Sequence, residues 1–155
     1  MALDLAAAIG VVTLLALTRS VAAQIFLSLP ATLLHELSHW VIALLTGCRP
    51  SLPSVWPKKT SSGWQLGNVS FVAGSLSAGW IALAPLWVLG AVCMFILTHQ
   101  TEPSPVALLG RGVVAGYCFW GMWPSSQDVF IALRYPLGTL ACVAVNLTVV
   151  LLYGV

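Results

Sequence analysis

The sequence predicts an all-α membrane protein with about five transmembrane or partly inserted helices. Two observations carry this. The 155-residue chain is 59% hydrophobic and only 6% charged, with a mean hydropathy of +0.98, whereas a soluble domain is about a quarter charged. Its apolar residues also gather into long runs: Leu3–Leu17, Val21–Leu45, Phe71–Leu97, Val106–Met122 and Leu137–Val155. A helix needs about 20 apolar residues to cross the hydrocarbon core. The second and third runs meet that length, while the first and fourth are short enough to be partial or tilted. The expected organisation is one domain over residues 1–155. A net charge of +2 gives no basis for nucleic-acid binding, which leaves the lipid bilayer as the expected surroundings.

The first run resembles the apolar part of a signal peptide. It lacks a preceding positive charge, carries Asp4, and is followed by Arg19, so it is expected to stay as a helix. Between the second and third runs, Pro50, Pro53, Pro57, Lys58 and Lys59 place the connection outside the bilayer. Within that connection, Trp64–Phe71 is a candidate small β-hairpin with Gly67-Asn68 as its turn, alongside a plain loop. Arg49, Lys58, Lys59 and Arg134 put this connection and the one after the fourth run on the cytoplasmic side; Arg19 and Arg111 dissent. A multi-pass protein of a bacterial inner membrane, with its site toward the cytoplasm, is the expected location. The third run has small residues at four-residue spacing, Gly74, Ala78 and Ala82, with Ser75 and Gly79 beside them. That spacing lets helices approach closely, either against the second helix or in a homodimer. Cys48, Cys93, Cys118 and Cys142 have no paired spacing and are expected to be small buried hydrophobes.

The chemistry is concentrated in the second run. His35-Glu36-Leu37-Ser38-His39 is an H-E-x-x-H motif. On a helix it sets two imidazoles one turn apart on the same face, where both can bind one zinc ion. Glu36 is then placed to act on water bound to the metal. Gln24, Ser28, Thr32, His35 and His39 form one polar stripe, which has to face other helices or water. Pro30, in the same stretch, removes a backbone donor and frees a carbonyl one turn back. The chain has three His and four Asp or Glu. An ionised carboxylate costs about 2.5–3.5 kcal/mol at the centre of a membrane helix, so a His-Glu-His cluster there implies function or a bound cation.

Catalytic zinc usually has three protein ligands, and the candidates for the third are Asp4, His99, Glu102, Asp128 and the cysteines. Counting crossings, only the Trp123–Asp128 connection returns to the side of His39, which favours Asp128. Asp128 has a second reading, as a first-turn acid of a helix starting near Gln127 and capped by Ser125 or Ser126. The two roles are compatible, because a cap would fix the ligating carboxylate.

These residues resemble the site-2 protease family of intramembrane zinc metalloproteases. The resemblance rests on His35-Glu36-Leu37-Ser38-His39 in a membrane helix and on Asp128 in a Pro-containing break downstream. It covers roughly Thr32 to Leu133, and Pro124-Ser125-Ser126-Gln127-Asp128 is similar to the compact bacterial branch. It implies that His35, His39 and Asp128 bind Zn2+, that Glu36 is the catalytic acid/base, and that the substrates are membrane-spanning proteins. The family commonly has Asp-Gly where this chain has Asp128-Val129, so the stabiliser of the oxyanion is left among Gln127, Ser125 and Asn146. With no PDZ-like domain expected, substrate selection falls to the membrane core or to a regulatory partner. The rival reading is a zinc-binding membrane scaffold or transporter fragment without catalysis.

Overall fold

The computed structural model describes residues 2–60, 63–65, 67–99 and 104–153, and the chain there is mostly helical. Helix α1 is Ala2–Leu17 and α2 is Val21–Leu45. Strands β1 (Lys58–Thr60) and β2 (Gly63–Gln65) form an antiparallel pair. Helix α3 (Ser75–Ala82) leads through a π-helical turn, Pro85–Leu89, into α4 (Gly90–Thr98). The remaining helices are α5 (Pro105–Gly121), α6 (Ser126–Arg134) and α7 (Pro136–Tyr153).

The apolar runs therefore become helices, but not five uninterrupted ones. Among the described residues, only α2 is a single helix long and apolar enough to cross a membrane. The third run is broken at Leu83–Pro85, and its two parts meet at 43°. A second bent pair, α5 and α6, meets at 55°; counting each pair as one span raises the number to three. Helices α1 and α7 are shorter and apolar. Large apolar side chains such as Leu14, Phe26, Phe95 and Leu140 lie exposed on the outer faces.

The hairpin is shifted from its expected position. Residues 63–65 pair with 58–60, and residues 61–62 between them lie outside the described residues. Gly67-Asn68 is not the turn: Asn68 lies in a second antiparallel pairing, exchanging backbone hydrogen bonds of 2.8 and 3.0 Å with Ser54. Ser51 N–H donates to the Ser70 carbonyl at 2.8 Å, and Ser70 N–H to the Ser51 hydroxyl at 3.0 Å. The three prolines of the connection keep 51–57 extended, so this stretch takes up Asn68 and Ser70 as a partner.

Helix α2 ends in a Schellman motif. Gly47 N–H donates to Leu44 O and Cys48 N–H to Ala43 O, and Gly47 supplies the positive φ of 74° the motif requires. Cys48 then turns back into a core cluster with Ile42, Ala43, Ile81 and Ala84. A second cluster joins Ala8, Leu89, Cys93, Ala115 and Cys118. All four cysteines are free and buried.

Glycines set where the helices touch. A Cβ at Gly112 would lie 2.7 Å from Ala7 Cβ, and one at Gly116 would lie 2.8 Å from Ala8 O, so α1 and α5 pack in direct contact. Gly79 meets the backbone of Gly138 and Thr139, so the closest small-residue crossing of α3 is with α7. Arg111, one of the dissenting charges, donates to the Ile96 and His99 carbonyls and caps the end of α4. Its position thus has a local cause, since the last carbonyls of a helix need donors.

Candidate metal centre

Two of the described helices and two helix breaks build the centre. His35 and His39 lie one turn apart on α2, their rings edge to face with centroids 4.8 Å apart. Along the polar stripe, Gln24 is exposed, Ser28 is buried and donates to Ile25 O, and His39 is 5% exposed. The stripe thus turns from the surface into the protein from Ser28 onward.

Each imidazole is held by its Nδ1. His35 Nδ1 lies 2.8 Å from Gly121 O, and His39 Nδ1 lies 2.6 Å from Ile81 O. A carbonyl oxygen can only accept, so both Nδ1 atoms carry a proton, and in the neutral imidazoles both Nε2 atoms present lone pairs. Both carbonyls are free for a local reason. Gly121 is the last residue of α5, where carbonyls lack intrahelical partners. Ile81 lies four residues before Pro85, which has no N–H to give it. Gly121 also lets α5 close on α2, because a Cβ there would lie 2.7 Å from Ala31 O.

Asp128 completes the cluster from the start of α6. Its Oδ2 lies 3.2 Å from His35 Nε2, and its Oδ1 lies 3.2 Å from His39 Nε2. The capping role is present too. Ser125 hydroxyl accepts from Asp128 N–H at 3.2 Å, and Ser125 N–H donates to Asp128 Oδ2 at 2.7 Å. This reciprocal box fixes the carboxylate.

The two Nε2 atoms are 3.1 Å apart. Three lone-pair donors this close repel one another unless something positive sits among them. The group His35, His39 and Asp128 can hold a metal ion. A tetrahedron with bonds of about 2.0–2.1 Å has edges of about 3.3 Å, close to the spacing seen here. Two imidazoles with their other nitrogen bonded to a carbonyl, plus a carboxylate held by a backbone N–H, also match the outer support such ligands need.

Glu36 is 9% exposed. The backbone at Gly67 passes directly over it: a Cβ there would lie 2.7 Å from Glu36 Cγ and collide with the carboxylate. Among the other candidates, His99 stacks on Phe95 at 4.3 Å at the far end of α4. Asp4 is buried on α1 against α5, and Glu102 lies outside the described residues. Of the three oxyanion candidates, Ser125 is occupied in the capping box and Asn146 donates to Cys142 O on its own helix. Gln127 remains exposed, beside a cavity of about 370 Å3 between Asn68–Phe71 and α6.

Sequence reasoning missed Gly121 O and Ile81 O. A signal for the second was present in Pro85, which frees the carbonyl four residues earlier. No protein family, no curated protein and no solved structure matches the chain.

Proposed function

We propose that the chain is a zinc endopeptidase of the site-2 protease type, hydrolysing peptide bonds of membrane-spanning substrates within the bilayer. The observation that carries this reading is the convergence of His35 Nε2, His39 Nε2 and Asp128 at 3.1–3.2 Å, with both Nδ1 atoms committed to carbonyls. The apolar outer faces and the candidate spans support a multi-pass protein in a bacterial inner membrane. On the same reading the metal site faces the cytoplasm with the Arg49–Gly63 connection and Arg134.

A zinc ion bound there would lower the pKa of a water ligand to about 7 and polarise the scissile carbonyl. His35 and His39 would hold the ion through Nε2, and their carbonyl partners at Nδ1 keep the rings from rotating. Asp128 supplies the negative charge of the site, with Ser125 N–H holding Oδ2. Glu36 has no hydrogen-bond partner among the described residues, so its carboxylate is available to take a proton from the attacking water. The same oxygen returns that proton to the nitrogen of the leaving amine. A membrane helix hides its carbonyls in its own hydrogen bonds, so the substrate must unwind before cleavage. Asn68 and Ser70 bond to the 51–54 stretch, and strand alternation turns the N–H and C=O groups of Val69 and Phe71 to the opposite edge. That edge can pair with an unwound substrate segment.

The test is cleavage of a model transmembrane peptide by the purified protein, with and without a chelator. Chelation is expected to stop turnover and zinc to restore it. Glu36→Gln should keep its metal and lose at least ~100-fold in rate. Near-normal turnover of that variant removes Glu36 from the mechanism.

A further inference from the structure

The cavity of about 370 Å3 beside the metal centre carries the argument further. One wall is the stretch Asn68–Phe71, bonded to Ser51 and Ser54 through Ser70 and Asn68 and unpaired on its other edge among the described residues. The other is α6, through Gln127, Phe130, Ile131 and Arg134. One end lies next to the candidate site, because the lining residues Gln127 and Asn68 adjoin Asp128 and Gly67, and Gly67 lies over Glu36. Arg134 marks the other end. Among the described residues it is the only charged side chain lining the cavity, and none of them accepts a hydrogen bond from it.

We infer that this cavity is the binding groove for an extended substrate segment, and that Arg134 selects an acidic side chain on that segment. The inference rests on the endopeptidase reading and adds a substrate class to it. Charge complementarity favours a peptide carboxylate: a cation borders a groove in which no described residue is an anion, next to an unpaired backbone edge. Geometry sets the distance. From Gln127 to Arg134, α6 advances about 10 Å, and an extended peptide covers that in about three residues. The acidic residue therefore lies about three residues from the scissile bond. Arg134 is exposed, so the pair forms near solvent and its effect is modest.

The experiment uses the full-length zinc-loaded protein in nanodiscs. The substrates are model transmembrane peptides with Glu, Gln or Lys placed two to four residues from the cleaved bond, on either side. At one position, wild type should cleave the Glu peptide about fivefold faster than the Lys peptide, through KM. Arg134→Gln should abolish the preference and Arg134→Glu should reverse it; misfolding cannot produce a reversal. Equal rates for all peptides with wild type overturn the inference and leave the endopeptidase reading intact. An Arg134 effect that follows the phosphatidylglycerol content of the nanodisc, and not peptide charge, assigns the side chain to lipid phosphate and also overturns it. If wild type cleaves nothing, binding of the same peptides to the Glu36→Gln protein decides. A preference for Glu over Lys that disappears in the Arg134→Gln, Glu36→Gln double variant upholds the groove while the endopeptidase reading fails. Equal binding overturns the groove.

Discussion

Helices α1 and α5 meet along an unbroken seam, whereas the helices that carry the candidate metal centre meet at breaks. In the seam, Gly112 and Gly116 let two continuous helices touch backbone to side chain. Their carbonyls are occupied within each helix, so close contact there yields packing and nothing more. At the centre, α3 stops before Pro85 and α5 stops at Gly121. Each stop frees one carbonyl, and each carbonyl orients one imidazole. The capping box at the start of α6 does the same for Asp128. In a protein this apolar, polar partners for a metal site are scarce. Helix ends supply them without adding charged side chains to the interior.

The sharpest way to break the comparison is to remove the candidate ligand that comes from a helix start. Asp128→Ala is expected to lose far more than the about 10–100-fold in metal affinity that an outer partner of a ligand is worth. Glu102→Ala should leave occupancy unchanged. Metal content after dialysis reads both. Equal occupancy in the two variants places the third ligand elsewhere.

Gly112→Ala tests the seam. The added methyl meets Ala7 Cβ at 2.7 Å and the Asp4 carbonyl, a clash between two backbones that no side-chain rotation relieves. Overpacking of this kind costs about 1–3 kcal/mol. Thermal stability should fall while metal content per folded molecule holds. A variant that loses metal before it loses stability would show that the seam and the centre are coupled.

The two regions were also unequally legible in the sequence. Long-range hydropathy located α1, α2, α5 and α7 to within a residue or two, because these helices are continuous apolar runs. The run Phe71–Leu97 was read as one segment. Its first residues are extended and its middle is bent at 43°, since hydropathy does not register a backbone break inside apolar sequence. His35 and His39 were visible because spacing on one helix is local. Asp128 required a count of crossings, and its cap was legible as Ser125 or Ser126, of which the structure uses Ser125, because capping is local too. The hairpin was misplaced because Gly67-Asn68 has turn chemistry, but pairing with Ser54 depends on the proline-rich stretch before it. Small residues on α3 signalled a close approach without naming its partner, which is chiefly α7.

The finest test concerns Pro85, the residue that distinguishes a break from a seam most economically. Pro85 is buried and cannot donate to Ile81 O, which leaves that carbonyl to His39 Nδ1 at 2.6 Å. Pro85→Ala restores an N–H at the position where an α-helix would bond to residue 81. The new donor competes with the imidazole, and a helix straightened through Leu83–Pro85 carries Ile81 O away from the ring. Metal affinity should fall by about tenfold, the lower range for loss of an outer partner, with His35 and Asp128 untouched. Loss of side-chain volume could weaken the fold by itself, so Cys93→Ala, a similar truncation further along the same broken run, is the control. It should reduce thermal stability without changing metal affinity. If both variants bind metal as wild type does, the carbonyl freed by Pro85 is not what holds His39 in place, and the break is a packing feature like the seam.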